Sequence, residues 1–297
     1  MIYELNHTTT YDYVNAVSLS HHLLRLQPRN LPRQKCLRNQ LQIQPGAGVV
    51  QTHRDYFGNE VTFVTVEGSH KSLVIASRSR VEIIPPAMPE PGTTPAWETV
   101  RDLCLAPEPK EAFEASEFIF PSPRIKPSPE FADYALSSFA KGRPVLEAVL
   151  DLTNRIHTDF KFDSKATTVA TPLEQVMKTR RGVCQDFAHL EIACLRAMGI
   201  PARYVSGYLE TDPPPGQPRL AGADASHAWI AFFCPGTGWM DVDPTNNLLP
   251  STRHLTVAWG RDYSDVSPIR GVILGSGEHT LRVAVDVLAS DEPQLPL

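Results

Sequence analysis

The chain opens with regular alternation. Tyr3, Leu5, His7, Thr9, Tyr11 and Tyr13 fall on one parity, and Glu4, Asn6, Thr8, Thr10 and Asp12 on the other. That is the period of a β-strand with two unlike faces. Further strand patterns lie near residues 19–26, 37–43, 61–66 and 71–83, with Gly58-Asn59 as a hairpin turn. Residues 1–85 therefore read as an all-β unit, a small sandwich. Pro85, Pro86, Pro89, Pro91 and Pro95 then mark a linker, and residues 96–127 show no clean period.

Beyond residue 127 the spacing becomes helical. Ser128-Pro129 predicts a capped helix start, with Phe131, Tyr134, Ala135 and Phe139 apolar. A second helix follows Pro144, with Val145, Ala148, Val149, Leu152 and Ile156 on one face, and Thr171-Pro172 caps a short third. From Gln185 to Met198, apolar residues recur at steps of three and four until Gly199 closes the helix. Residues 226–233 are apolar on both parities, as expected of a covered central strand. A turn at 235–238 leads to a strand from Trp239 to Asp243, stopped by Pro244. Alternation returns from Thr280 to Leu288, a strand expected to pair with the N-terminal sheet. Helices followed by antiparallel strands give an α+β class. The expected division is 1–85, a linker and irregular segment 86–127, a core 128–260, and an extension 261–297.

Composition narrows the function. The net charge of −5 comes without like-charged runs, which argues against nucleic acid or an anionic membrane surface as the main partner. No apolar stretch is long enough to span a bilayer, and the first residues lack a secretory pattern. The five cysteines are scattered and odd in number, which fits a reducing cytoplasm better than a disulfide framework. No cofactor or metal motif is legible. A zinc site from Cys184, His227 and Asp243 is the weaker reading of those residues.

The chemistry concentrates at three places. Cys184 precedes the 185–198 helix, where free N–H groups and the helix dipole favour a thiolate and can stabilise an oxyanion. Gly182 permits the turn before it. Asp186, one turn on, would oppose a thiolate unless Arg180 or Arg181 neutralises it. His227 and Asp243 share a parity, and a hairpin folded about Pro235 sets them opposite each other. Asp241 has the same parity and competes, with Trp229 as its partner in that register. Cysteine, base and orienting acid are the parts of a thiol nucleophile's machinery. Gln185 and Asp186 are oxyanion or cleft candidates, and Trp229 and Trp239 are candidate cleft walls. His189 lies about 140° around the helix from Cys184 and reads as structural. The proline-rich loop 211–216 is a surface loop that can flank a cleft.

Arg181-Gly182-Val183-Cys184-Gln185-Asp186-Phe187, Arg203-Tyr204-Val205-Ser206-Gly207-Tyr208, Ser226-His227-Ala228-Trp229 and Gly238-Trp239 through Asp243-Pro244-Thr245-Asn246 resemble the core motifs of bacterial transglutaminase-like proteins. Members of that family are often described as candidate cysteine proteases. Tyr11-Asp12-Tyr13, Leu26-Gln27-Pro28-Arg29 and Asp55-Tyr56-Phe57-Gly58-Asn59 are similar to the β domain that accompanies them, and Gly260–Tyr263 through Pro268–Val272 to their post-core segment. The resemblance implies a papain-like cysteine-peptidase core with Cys184, His227 and Asp243 at the three catalytic positions. The expected function is acyl transfer from an amide of a peptide or protein. Hydrolysis is favoured, because no second-substrate site and no EF-hand calcium loop are legible. The alternatives are a protein-glutamine transglutaminase and a non-catalytic domain that binds a peptide in the same cleft.

Overall fold

The computed structural model describes residues 1–106, 110–211, 226–275 and 277–290. Two long strands, β1 (Ile2–Leu24) and β4 (Glu60–Ile83), frame the N-terminal part, with β2 (Gln34–Gln44) and β3 (Val49–Arg54) between them. β1 and β4 run antiparallel from Ile2↔Glu82 to Leu24↔Thr62, with register shifts between Asp12 and Leu19. Helices α1 (Trp97–Leu105), α2 (Lys110–Ser116), α3 (Pro129–Leu136) and α4 (Val145–Asp159) follow. Then come β5 (Lys161–Phe162), α5 (Leu173–Thr179), β6 (Arg181–Gly182) and α6 (Cys184–Ala197). A second sheet holds β7 (Ala202–Leu209), β8 (Ser226–Cys234), β9 (Gly238–Val242) and β10 (His254–Gly260) in the order β10-β7-β8-β9. The turn of helix α7 (Tyr263–Val266) leads to β11 (Ile269–Leu274) and β12 (His279–Ser290), which both return to β1.

β1 and β4 each serve both halves of a sandwich. Near Ile2 they are flanked by β12 and β2, and near Leu24 by β11 and β3. Leu24, Val64 and Val66 of one half pack over Leu73, Ile75, Leu41 and Ile43 of the other. Sequence patterning divided each long strand in two. The polar interruption in β1 is a bulge rather than a turn, since exposed Val14, Asn15 and Ala16 lie where the register shifts. β4 is likewise continuous through Gly68, whose φ of 90° only glycine adopts easily. β3 carried no alternation to read, because all six of its residues are exposed.

Residues 96–127 are more regular than expected. α1 buries Trp97, Val100 and Cys104, a helical spacing. Pro129 opens α3 as its first residue, but the Ser128 side chain makes no cap bond. Thr171 does not cap α5 either, and its Oγ1 instead accepts from the Thr168 N–H.

α6 is the hub of the core, and every residue from Asp186 to Arg196 is buried. Gly199 ends it at φ 75°. The α6 core runs continuously into the N-terminal sheet through Tyr3, Leu5, Val81, Ile83, Val285 and Val287.

Polar contacts reinforce the same junction. Gln34 Nε2 donates to the Thr256 carbonyl at 2.7 Å, and Gln34 Oε1 accepts from the Thr256 N–H at 2.8 Å. Asn59 makes the equivalent pair with the Trp259 backbone, both bonds at 2.9 Å.

The β8–β9 hairpin corrects the expected register. It pairs Ile230↔Val242 and Phe233↔Trp239 about a tip at Gly236, whose φ is 82°. The turn therefore centres one residue later than Pro235. Asp241 pairs with Ala231, and continuing the ladder places Asp243 across from Trp229 rather than His227. The shared parity of His227 and Asp243 survives, because the slip is an even number of residues.

Candidate active site

Val183 is extended, and α6 begins at Cys184, its first helical residue. The tight approach to this start depends on Gly182. A Cβ there would lie 2.8 Å from Asp186 Oδ2 and 2.9 Å from Asp186 Cβ. Gly182 is thus needed for close packing rather than for a left-handed φ, which belongs to Arg180 at 56°. Asp186 Oδ2 accepts from the Val183 N–H at 2.8 Å and from Thr167 Oγ1 at 2.6 Å. Its carboxylate is thus spent on capping the helix. Neither expected arginine reaches it, since Arg180 pairs with Asp159 and Arg181 with Asp163. Burial raises the Asp186 pKa against these bonds.

His227 heads β8 with its side chain only 10% exposed. Nε2 donates to Asp243 Oδ2 at 2.7 Å. The Cys184 thiol lies close enough to act on the ring's pKa, and with Nε2 committed to Asp243 the nitrogen left to face sulfur is Nδ1. Burial by itself would lower the His227 pKa. The bond to Asp243, the nearby Cys184 sulfur and the charges of both outweigh it and raise it to about 10. The bonds from His227 and His254 and the charge of His227 carry the Asp243 carboxyl the other way, well below its ordinary value despite burial.

Asp243 is fully buried and sits in a nest of donors. Oδ2 accepts from His227, from His254 Nε2 at 3.1 Å and from Asn246 Nδ2 at 2.8 Å. Oδ1 accepts from the Thr245 and Asn246 N–H groups at 2.9 and 3.2 Å. α4 secures this loop, with His157 Nδ1 donating to the Thr245 carbonyl at 2.9 Å. Asp241, the competitor, turns away and pairs with Arg33.

The other expected residues divide. Gln185 borders a polar cleft of about 410 Å³, together with Asp186, His189, Arg124 and Lys126. Trp229 is fully buried and stacks behind His227 with ring centroids 6.0 Å apart, so it supports the imidazole and does not wall a cleft. Trp239 pairs with Phe233, six residues along β8 from His227 and about 20 Å away. It therefore does not border Cys184. His189 is structural, accepting from the Tyr263 N–H at 3.1 Å. Loop residues 212–216 lie outside the described residues.

Two neighbours escaped the sequence reading. His254 is buried on β10, edge-on to Trp229 at 5.2 Å. The sequence signal for it is the short apolar pattern His254-Leu255-Thr256-Val257 at the start of β10. Tyr204 is buried close enough to Cys184 that the sulfur's charge adds to burial in raising its phenol. Among the described residues, the one group of side chains close enough to share a metal is His227, Asp243 and His254. Both imidazoles donate to a single Asp243 oxygen through Nε2, and His254 Nδ1 is buried without a partner.

Residues 3–82 match the bacterial transglutaminase-like N-terminal region, and residues 133–244 the transglutaminase-like superfamily. An uncharacterized protein of Mycobacterium tuberculosis is 40% identical over 294 residues, covering 96% of this chain and 92% of its own. A Mycobacterium leprae protein is 30% identical over 285 residues, 95% of this chain and 96% of its own. The Protein-glutamine gamma-glutamyltransferase of Pseudomonas aeruginosa is 34% identical over 122 residues, 40% of this chain and 18% of its own. A crystal structure described as "a Putative Cysteine Protease from Cytophaga hutchinsonii" shares the fold, with TM-score 0.76 and 22% identity over 99% of this chain and 92% of that one. The chain therefore belongs to the transglutaminase-like superfamily, with a papain-like α+β core joined to the bacterial transglutaminase-like N-terminal region.

Proposed function

We propose that this protein is a cysteine-dependent acyl-transfer enzyme that cleaves an amide of a peptide or protein. Cys184 is the nucleophile, His227 carries the proton and Asp243 orients the imidazole. The observation that carries this reading is the His227 ring hydrogen-bonded to Asp243 at 2.7 Å and close to Cys184, the first residue of α6.

In the reaction, the His227 imidazolium holds the proton of the Cys184–His227 pair while Sγ attacks the carbonyl carbon, and the C=O electron pair moves onto oxygen. The N-terminal N–H groups of α6, that of Cys184 among them, face the resulting oxyanion. The C–N bond then breaks, and His227 returns the proton to the leaving amine. Water attacks the thioester, gives a proton to His227 and releases the acid and the thiol.

A second reading, transfer to an amine, is favoured by the similarity over 122 residues to a Protein-glutamine gamma-glutamyltransferase. Hydrolysis remains the preferred outcome, because an amine must outcompete water at about 55 M and needs a dedicated binding site to do so. The test offers a glutamine-containing peptide with and without excess primary amine. Free acid as the main product in both tubes, abolished by Cys184→Ala, supports the hydrolase. Efficient adduct formation at millimolar amine supports the transferase. No turnover of any amide or ester would leave only a binding role.

A further inference from the structure

A cleft of about 610 Å³ lies between the segments 31–33 and 86–88, which adjoin β2 and β4, and residues of β7, β9 and β10. Arg203, from β7, forms part of its floor. Its guanidinium stacks between two indoles, 4.2 Å from the Trp239 centroid and 3.7 Å from the Trp259 centroid. The residue is only 8% exposed, and Nε is buried without a partner. Among the described residues the guanidinium makes no hydrogen bond or ion pair. The carboxylate that acts on it most, that of Asp241, is bonded to Arg33. Burial lowers the Arg203 pKa to about 9, which still leaves the group charged at neutral pH.

A buried cation without an acceptor is costly, and natural folds seldom keep one idle. The indole faces stabilise the charge from both sides. They also fix the plane of the guanidinium, so that its terminal nitrogens are left to the cleft. A guanidinium edge is a two-pronged donor matched in shape to a carboxylate.

We propose that this cleft is a binding site for a carboxylate-bearing peptide, gripped by the terminal nitrogens of Arg203. Phosphate fits less well, since Asp241 and Glu114 line the same cleft and a dianion would meet them with one uncommitted cation. Pro32, Pro86, Met88 and Met240 give the walls an apolar character suited to the side chains that flank the carboxylate. Trp239 is about 20 Å from His227 along β8, a span that about six extended residues cover. Only the description of that peptide as a substrate rests on the proposed function, because the binding does not require chemistry.

Trp239 and Trp259 make the site its own reporter. The full-length protein is titrated at neutral pH, with tryptophan fluorescence as the readout. The ligands are an acetylated hexa-alanine with a free C-terminus, its C-terminal amide, the amide carrying one internal Glu, the same with Gln, and inorganic phosphate. One or both carboxylate peptides are expected to bind about 10–100-fold more tightly than their neutral counterparts, the range of a charge-assisted pair. Which of the two binds tells a terminal carboxylate from a side-chain one. Arg203→Met should bring the carboxylate peptides down to the neutral level, and Arg203→Lys should fall between. Melting curves identify a variant that does not fold, and the lysine variant then carries the comparison. Equal binding of acid and amide peptides, phosphate binding more tightly than peptide, or wild-type binding by a folded variant would each overturn the proposal. Peptide binding without any amide turnover would sink the enzymatic reading and leave this site standing.

Discussion

His254 Nε2 lies 3.1 Å from Asp243 Oδ2, the oxygen that also holds His227 at 2.7 Å. The carboxylate thus divides one lone-pair region between two imidazoles, one close to Cys184 and one buried against Trp229.

Replacing His254 by Phe keeps a ring against Trp229 and removes one donor. Asp243 then shares its charge less, so its pull on His227 strengthens. The His227 titration is expected to move further up, and kcat to fall about tenfold as the carboxylate loses an anchor. NMR titration of the His227 ring and a pH–rate profile provide the measurements. An unmoved titration with unchanged kcat would reduce the contact to packing.

Thiol labelling should single out Cys184. Burial pushes Cys104 up to about 11, and it also raises Cys36, Cys234 and, furthest, Cys194. Thiolate is the reactive form, so these four are suppressed at pH 7. Brief iodoacetamide treatment followed by mass spectrometry should find Cys184 modified first. Equal modification of all five only after unfolding would show that Cys184 is an ordinary core thiol.

The two aspartates should separate cleanly. Asp243→Asn presents an amide to the His227 N–H and is expected to cost roughly 10²–10⁴ in turnover. Asp241→Asn breaks the contact with Arg33 at the junction with the N-terminal part, which should lower stability by about 1–2 kcal/mol and leave kcat nearly unchanged. Thermal melting and turnover, measured on both variants, decide. A catalytic loss in Asp241→Asn larger than that in Asp243→Asn would assign the orienting role to the other carboxylate.

Glu191 sets a pH dependence of stability. It is fully buried on α6, accepts from Thr153 Oγ1 at 2.6 Å, and burial raises its pKa from 4.5 to about 8. Between those values the folded chain holds a proton that the unfolded chain has released. The contribution is therefore complete below about pH 4.5 and is lost as pH rises through about 8. Glu191→Gln removes the titration, so denaturant midpoints of this variant should lose that decline between pH 5 and about 8. Parallel pH profiles for variant and parent would contradict this account.

Much of the site could be read from local pattern. The periodicity of Phe187, Leu190, Cys194, Leu195 and Met198 located α6, and the position of Cys184 at its start followed. Parity placed His227 and Asp243 on one face even though the register slipped by two, because alternate residues keep their face under any even shift. What stayed hidden depends on contacts distant in sequence. His254 comes to Asp243 only because β10 crosses to the far edge of the sheet beside β7. The Arg203 clamp draws on β7, β9 and β10 at once. No spacing rule reports that Asp186 is consumed by Val183 and Thr167, or that Trp229 is sealed behind the imidazole.

The Gln34 amide bonds the carbonyl and the N–H of Thr256. That is the pairing a neighbouring strand would have given the outer edge of β10, so one side chain acts as a surrogate strand. A fragment starting at residue 128 would carry Cys184, His227, Asp243 and His254 but would leave that edge to water, two residues from His254. β10 would be free to fray, and His254 would drift from the carboxylate. Such an excised core is expected to fold with Cys184 in place and Asp243 loosely held. The smallest unit that preserves the Asp243–His254 contact is therefore longer than the segment that contains both residues.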